Sequence, residues 1–470
     1  MHGCGSGCLD SCVAKLERQY CLSDGQFELR DGTLDVQIVL KREGTKRSMD
    51  WRGTNSVRDR VVGTEFSGTE FMNSTLSVRW VESEADIAAD LWDACFAPPV
   101  EGRWWYQTLE QSELQSQFKF SYALIIKDEK EVGIAPTFLM DVPIELVAPP
   151  EVVPILKVVG KILPSLLYQR TLFIGSPCTD EGTVGLIPDV SMVEVASVLQ
   201  SAFEQRARQV KAPFIVWKDF PDSYKNALSK LAKDRNMFEL VSFPGTVIQL
   251  NDRSKESYFA SLKGSRRHNL KKKLKKSKQQ VELSTLVVNR PDAQTLDEVF
   301  ALFWQTYEKG KTKFEKLNRK FFSLIADRDN SWFVLLRNTS DQKLVAFMLC
   351  FDIKERVINK FIGIDYNLPN EWFLYFRLWE GALDWVLTTK ANEFQSGQTG
   401  YRAKIDVGHS LVPLTNYCKH SNPIFHKLYT IATRDVTWST LDDDLKVFLA
   451  AHPEESEESS RPAPTTSDIK

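Results

Sequence analysis

Apolar and polar residues alternate with two different periods between residues 72 and 435, and this pattern predicts alternating strands and helices. A period of two is typical of strands, whereas a period near 3.6 is typical of amphipathic helices. In the first half of this region, strands are predicted at residues 76–81, 121–126, 133–138, 171–175 and 214–217. Helices are predicted there at residues 82–96 and 193–210.

The second half of the region repeats this order of elements. Strands are predicted at residues 246–250, 332–336, 344–352, 357–364 and 393–396, and helices at 254–277, 296–307, 319–327 and 371–389. A strand, a helix and another strand are predicted after residue 414. No strict sequence period repeats, so the element order alone predicts an α/β fold with mixed sheets in two similar lobes, residues 72–245 and 246–449.

The two ends of the chain differ in composition from these lobes. Residues 1–71 are rich in Gly, Ser, Arg and Asp and show two short strand-like runs, at 27–29 and 34–40. We interpret them as an atypical, poorly ordered extension, with the working fold starting at Met72. Residues 450–470 are acidic and rich in Ser and Pro, and we expect them to be disordered because they cannot bury enough apolar area.

The most apolar stretch is VVPILKVVGKILPSLLY at residues 152–168. It is shorter than the roughly 20 residues of a membrane-spanning helix, and prolines and lysines interrupt it. A packed helix pair or a broken helix fits this stretch, as does a helix lying on a membrane surface. We therefore predict no integral membrane segment.

Charge and cysteine usage limit the class of protein. The 60 Lys and Arg nearly balance the 62 Asp and Glu, so any attraction to nucleic acid or membrane must be local. The eight cysteines form no Cys-x-x-Cys pair, and residues 1–30 carry no secretory signal, which favours reduced thiols in the cytoplasm. No metal-binding, Gly-x-Ser-x-Gly or Walker motif is present, so we predict no metal site, ordinary hydrolase or P-loop.

The strongest local feature is a basic block, KGSRRHNLKKKLKKSK, at residues 263–278. Its leucines fall at helical spacing, so one stripe is apolar and the rest is cationic. Such a face could bind the phosphates of coenzyme A, of a nucleotide-linked acceptor or of RNA, although an ordinary solvated helix fits as well. The candidate binding residues are Arg266, Arg267, Asn269 and Lys271.

A second candidate is the glycine-containing corner FQSGQTGYRAKIDVG at residues 394–408. A ligand often binds where a strand of an α/β sheet ends, although an ordinary turn fits the same residues. Tyr401 could protonate a leaving thiolate, and Lys404 could bind phosphate or orient a carbonyl. His409 is a weaker candidate for a general base. The candidate binding residues at this corner are Gly397, Gln398, Gly400 and Arg402.

Several segments together resemble the FemAB-like branch of the GNAT acyltransferase superfamily, also described as BioF2-like acetyltransferases of peptidoglycan biosynthesis or recognition. These are SLKGSRRHNLKKKLKK, FIGIDY, WFLYFRLWEGALDWV and GQTGYRAKIDVG, with FIGSPC, VWKDF and FPGT in the first half. The resemblance covers residues 75–435. It implies a tandem pair of GNAT-like lobes and an enzyme that transfers an acyl or aminoacyl group to the amine of a small molecule or peptide.

The resemblance leaves the acyl donor open. Acetyl-CoA enzymes of this superfamily carry a glycine-rich pyrophosphate loop, but the equivalent stretch here, DYNLPNE at residues 365–371, has no glycine. Acyl-CoA is therefore one co-substrate, and aminoacyl-tRNA bound by the basic block is the other. We expect Asp365 or Tyr401 to assist proton transfer, and Tyr366 is a further candidate for substrate or cofactor binding. The alternative is a non-catalytic GNAT-fold module that binds a phosphate-bearing ligand or RNA.

Overall fold

The structure is a computed structural model that describes residues 75–143, 168–250, 253–310 and 315–456, together with two earlier strands. The chain divides into two units, Met1–Phe71 and Met72–Lys470. In the first unit, β1 (Phe27–Arg30) and β2 (Thr33–Val36) form an antiparallel pair. The rest of the predicted extension and residues 152–167 of the apolar stretch lie outside the described residues.

The first lobe begins with a strand and two helices: β3 (Leu76–Val81), α1 (Ala89–Cys95) and α2 (Arg103–Gln111). Next come β4 (Lys119–Lys127), β5 (Lys130–Pro143), β6 (Tyr168–Ile174) and the short β7 (Gly185–Leu186). Helix α3 (Met192–Gln209) leads to β8 (Phe214–Pro221), which pairs with β6 in parallel. Helix α4 (Lys225–Asp234) and β9 (Phe238–Val241) complete this lobe.

The second lobe is entered through β10 (Gly245–Gln249), α5 (Lys255–Ser261) and α6 (Gly264–Gln280). It then repeats the plan with β11 (Leu283–Val288), α7 (Ala293–Lys309), α8 (Arg319–Ala326), β12 (Ser331–Asn338), β13 (Leu344–Ile353) and β14 (Arg356–Ile364). Helix α9 (Leu374–Val386) leads to β15 (Glu393–Ser396), which is parallel to β14. The chain continues through α10 (Tyr401–Asp406), β16 (Ser410–Val412), β17 (Leu414–His420), α11 (Pro423–Ala432), α12 (Trp438–Leu441) and α13 (Asp443–Ala451).

The two sheets share one topology, and one strand of the second range, β17, lies in the first sheet. Their orders are β3-β4-β5-β6-β8-β17-β9 and β11-β12-β13-β14-β15-β10-β16, with β7 paired to β5. In each sheet, an antiparallel meander is followed by a helix and a strand parallel to the last one, so the predicted pair of GNAT-like lobes is confirmed. The sequence ranges 72–245 and 246–449 do not coincide with the sheets, because β17 of the later range lies between β8 and β9.

Three predicted elements differ from the structure. The helix predicted at 254–277 is two helices, because the backbone is extended at Leu262 and Lys263. The helix predicted at 82–96 is a 3-10 turn, Glu84–Asp86, followed by α1. The strand predicted near the end is replaced by α11 to α13, and the chain remains helical to Pro453–Glu455, inside the range predicted as disordered.

A continuous aromatic core joins the lobes. Trp105 of α2 is fully buried, and its ring centroid lies 6.0 Å from that of Phe321 in α8 and 5.8 Å from that of Phe351 in β13. Such edge-on aromatic packing fixes both distance and orientation. The lobes therefore hold their facing loops in a defined position. Among the helices described, none is long and apolar enough to cross a membrane.

Candidate functional site

The parallel strands β14 and β15 stop pairing where β15 ends, and this leaves an opening beside β14. The register runs from Arg356 opposite Glu393 to Asn359 opposite Ser396, and β14 then continues to Ile364 with β13 as its only neighbour among the described strands. A loop of the first lobe, at residues 175–184, lies against this opening. Glu181 of that loop accepts a hydrogen bond from Gln395 Nε2 at 3.0 Å. The opening is therefore lined by both lobes.

Six ionisable side chains meet at this opening, and we call them the interlobe cluster: Glu101, Asp180, Glu181, Arg356, Lys360 and Lys404. Lys360 Nζ lies 3.0 Å from Glu101 Oε1 and 3.6 Å from Asp180 Oδ2, and only 1% of its side chain is exposed. Burial lowers the pKa of Lys360, but the two carboxylates outweigh burial and hold that pKa above its usual value. Buried charges persist only when they are paired in this way.

Asp180 is the carboxylate of the cluster closest to the glycine corner. A Cβ atom at Gly397 would lie 2.6 Å from Asp180 Oδ1, so only glycine allows this approach. Asp180 Oδ2 is buried without a hydrogen-bond partner, although it faces Lys360. Burial raises the pKa of Asp180, while Lys360 opposes the rise. A carboxyl group with a raised pKa and an oxygen that accepts no hydrogen bond is suited to accept a proton.

Lys404 reaches the same glycine from α10. Its ammonium group donates to the carbonyl oxygen of Gly397 and, at 3.4 Å, to that of Gln398. Only 8% of Lys404 is exposed. Burial lowers its pKa to about 8, although the charge of Asp180 opposes the shift. Gly397 thus lies between a carboxyl group whose pKa is raised and an ammonium group whose pKa is lowered.

Further polar atoms are buried unpaired beside the cluster. Asn359 Oδ1 and Gln395 Oε1 have no hydrogen-bond partner, although the amide nitrogens of both side chains are bonded. Burial lowers the pKa of His409, whose ring lies 6.1 Å from that of Phe394 in β15, to about 3, so its ring is neutral. Each unpaired buried acceptor costs about 1–3 kcal/mol, and a concentration of such atoms is typical of a site that receives a ligand.

Two residues predicted to be catalytic lie in structural positions instead. Tyr401 is fully buried, and its hydroxyl donates to the carbonyl oxygen of Pro244 at 2.9 Å. Its ring packs with Trp438 and Leu445, which follow it in α12 and α13. Burial raises the pKa of this hydroxyl, so it is a poor proton donor. These contacts give Tyr401 a structural role and argue against the predicted one.

Asp365, the other predicted proton acceptor, stabilises the turn after β14. Its carboxylate accepts hydrogen bonds from Lys343 Nζ at 2.8 Å and from the backbone and side-chain nitrogens of Asn367 at 3.1 Å. Burial raises the pKa of Asp365, but these hydrogen bonds outweigh burial and leave the pKa below its usual value. A carboxylate held in its charged form by several donors is a weak base, which argues against the predicted role.

Replacing Tyr401 with phenylalanine tests this correction. We expect Tyr401→Phe to lower the free energy of unfolding by about 1–3 kcal/mol, because the carbonyl oxygen of Pro244 loses its buried donor. Turnover per folded molecule should stay within about twofold of the wild type, since the hydroxyl touches no substrate. Urea denaturation and initial rates measure the two quantities. A hundredfold loss of turnover in a stable variant would restore the catalytic role.

The structure also places the other predicted residues of the corner, together with Tyr366. Gly397 borders the interlobe cluster, and Gln398 Nε2 donates to the carbonyl oxygen of Phe243 at 3.0 Å. Gly400 has a φ of 64° and starts α10, as a left-handed position requires. Arg402 is exposed, and its backbone nitrogen contacts Asp444. Tyr366 is 40% exposed and lies under the ammonium group of Lys309 at 3.6 Å.

Helix α6 carries the predicted basic face on two of its sides. One side forms a groove of about 650 Å³ with α5 and α9, which we call the basic groove. Its charged and apolar lining includes Lys255, Phe259, Arg267, Lys271, Lys275 and Glu380. Lys255 and Lys278 both pair with Glu380 at 3.1 Å, whereas Lys271 and Lys275 are exposed. The groove therefore presents the exposed ammonium groups of Lys271 and Lys275 beside the apolar side chain of Phe259.

The opposite side of α6 contacts the glycine corner. Lys273 Nζ lies 2.6 Å from Asp406 Oδ2 at the end of α10, so the predicted proximity of the helix and the corner is observed. The guanidinium of Arg266 lies 5.7 Å from the ring of Phe448 in α13, and Asn269 is exposed. Helix α13 therefore covers the space beside Arg266 that the sequence interpretation left open for a ligand.

The sequence interpretation missed most of the interlobe cluster and named only Lys404. Asp180 and Glu181 lie in CTDEG, a segment in which no catalytic or binding residue was predicted. Lys360 lies in the apolar strand VINKFIGI, where a buried lysine signals a partner of opposite charge. That signal was available in the sequence. In the part of the chain that the structure describes, no group of His, Cys, Asp and Glu side chains could hold a metal ion.

Comparisons with known proteins agree with this architecture. Residues 191–430, just over half of the chain, match the FemAB-like family, described as peptidoglycan biosynthesis/recognition. A comparison with curated proteins finds no match.

Several solved structures are similar to the chain. FemX is 10% identical over 68% of this chain and 93% of its own, with a TM-score of 0.44. A tandem GNAT protein from the clavulanic acid biosynthesis pathway is 9% identical over 74% of this chain and 99% of its own, with a TM-score of 0.43. L-PGS from Bacillus licheniformis is 11% identical over 56% and 82%, with a TM-score of 0.38. At these values the likenesses carry no inference about substrates.

Proposed function

The chain belongs to the FemAB-like family, and on this premise we propose that it transfers an acyl or aminoacyl group from an activated donor to an amine acceptor. One observation carries the proposal: Asp180 and Lys404, contributed by different lobes, meet at Gly397 beside the opening between β14 and β15. Proton acceptance and anion stabilisation are the two tasks that acyl transfer requires.

The reaction needs no covalent intermediate with the protein. Asp180 accepts one proton of the neutral attacking amine as the nitrogen forms a bond to the donor carbonyl carbon. The carbonyl oxygen becomes an oxyanion, which the ammonium group of Lys404 stabilises. The intermediate then collapses as the bond to the leaving sulfur or oxygen breaks, and the proton held by Asp180 passes to that leaving group. Holding both substrates in one crevice supplies the remaining rate enhancement.

The basic groove is suited to the donor. Coenzyme A and aminoacyl-tRNA both carry phosphates. The side chains of Arg267, Lys271 and Lys275 line the groove, and their positive charges can contact those phosphates. The segment at residues 365–371 lacks the glycines that expose backbone amides to pyrophosphate, so side-chain cations take a larger share of the binding. We propose that the donor's phosphates occupy this groove.

Charge reversal in the groove tests this assignment. For Arg267→Glu/Lys271→Glu, we expect KM for the donor to rise at least about tenfold, because two attractive phosphate contacts become repulsive. The dependence of donor binding on salt should become shallower, since fewer counterions are released. Lys230→Glu/Lys233→Glu on α4 is the matched control, because both lysines are exposed on the first lobe. Equal effects from the two double variants would contradict a specific groove.

A direct assay decides between an enzyme and a binding module. Purified protein is incubated with radiolabelled acetyl-CoA or with aminoacyl-tRNA, together with amine-bearing peptides, including peptidoglycan-derived ones. We expect label to appear in the peptide with one donor class, and the same donor to raise the melting temperature. A folded protein that is stabilised by either donor but transfers nothing would instead be a non-catalytic module.

A further inference from the structure

Helix α11 presents a stripe of exposed apolar side chains. Ile424, Phe425, Leu428 and Ile431 are 69%, 52%, 55% and 61% exposed, and their spacing places them on one side of the helix. The opposite side is anchored by Tyr429, whose ring stacks on that of Phe214 at 5.3 Å. The stripe is therefore held rigidly outward from the first-lobe sheet. Contiguous exposed apolar side chains of this size mark an interaction surface.

Helix α11 lies at one end of the first-lobe sheet. Phe214 at the start of β8 pairs with His420 at the end of β17 and with Thr171 in β6. Three residues before Thr171, Tyr168 pairs with Pro143 at the end of β5 and is 56% exposed. The chain therefore leaves β5 and returns to β6 at the same end of the sheet at which α11 begins.

The sequence joining those two strands is itself strongly apolar. Residues 144–167, which join them, contain thirteen Val, Ile and Leu residues, two lysines and two glutamates. The four partly exposed side chains on α11 offer less than the roughly 800 Å² per partner of a stable protein interface, which argues against a second copy.

We propose that α11 docks the protein on an anionic membrane surface, with its apolar stripe inserted into the boundary between headgroups and acyl chains. Lys427 and Arg434 are exposed at the helix and its end, where they can approach lipid phosphates. The attachment is peripheral, because a helix of ten residues lies in the interface and cannot span it. This surface is separate from the interlobe cluster and does not depend on the proposed acyl transfer.

Vesicle co-sedimentation tests the membrane surface. We expect the full chain to pellet with vesicles of phosphatidylglycerol and phosphatidylcholine more than with phosphatidylcholine alone. Leu428→Asp/Ile431→Asp should lower the partition coefficient at least about tenfold, because charged groups are costly at this depth. Both positions are exposed, so the melting temperature should stay the same. Val447→Asp, at a 65% exposed valine on α13, is the matched control and should bind as the wild type does.

Three outcomes would overturn the proposal. One is a wild-type protein that stays in the supernatant with both kinds of vesicle. Another is an equal loss of vesicle binding in the control variant. The third is a concentration-dependent dimer in sedimentation velocity, abolished by Leu428→Asp/Ile431→Asp, without vesicle binding; this would assign the stripe to a second copy of the chain.

Discussion

Asp180→Asn is expected to slow acyl transfer by about 10²–10⁴-fold, the usual contribution of a positioned general base. Asparagine keeps the size and hydrogen-bonding shape of the side chain but cannot accept a proton. The substitution should leave the fold intact, because Lys360 keeps its ion pair with Glu101 at 3.0 Å. KM for the donor should change little, since Asp180 lies in the interlobe cluster and not in the basic groove.

The control for this variant is Asp329→Asn, at a carboxylate that is 92% exposed and pairs with Arg290 on the surface. It should retain the activity of the wild type, because exposed pairs contribute little. Circular dichroism and melting temperature establish that both variants are folded. An Asp180→Asn variant that is folded and retains activity within about threefold would remove Asp180 from the mechanism and leave the cluster a structural ion-pair network.

Local periodicity was sufficient to predict most of the elements and their order. The strand predicted at 393–396 has those bounds in β15, and the three hairpin-spaced strands at 332–364 became β12, β13 and β14. A strand's period of two depends only on which face is buried, so it is visible in the sequence. The partner of each strand depends on distant residues. For that reason the position of β17 between β8 and β9 could not be predicted from periodicity.

The candidate site was predicted only in part, for the same physical reason. Glycine at 397 and lysine at 404 were singled out from local chemistry, and both border the interlobe cluster. Tyr401 was assigned a solvent-facing role because Trp438 and Leu445, which cover it, follow about 40 residues later. Asp180 comes from the other lobe, more than 200 residues before Lys404. No local motif could place it beside Gly397.

Lys404→Arg is expected to remove the alkaline limb of the pH–rate profile. Burial lowers the pKa of Lys404 to about 8, so the wild-type protein should lose its oxyanion-stabilising charge, and with it activity, as pH rises through that value. Arginine stays charged above pH 12, and its variant should remain active to higher pH at a reduced maximum. Lys404→Met, which carries no charge, should lose about 10²–10³-fold in kcat.

The same lowered pKa links pH to stability, with a sign that can be checked. Between about pH 8 and pH 10.5, Lys404 binds fewer protons in the folded state than in the unfolded state, where its pKa is 10.5. The free energy of unfolding should therefore gain up to about 1.4 kcal/mol per pH unit from this group as pH rises through that window. Lys404→Met abolishes the gain, which urea denaturation at several pH values measures.

Lys390→Arg, at an exposed lysine beyond α9, is the matched control and should alter neither profile. If the alkaline limb of Lys404→Arg coincides with that of the wild type, a different group titrates near pH 8, and Lys404 then serves only to hold the carbonyl groups of Gly397 and Gln398. In that case Lys404→Met would lower stability and leave kcat nearly unchanged, because the corner would lose two hydrogen bonds but the oxyanion would lose no charge.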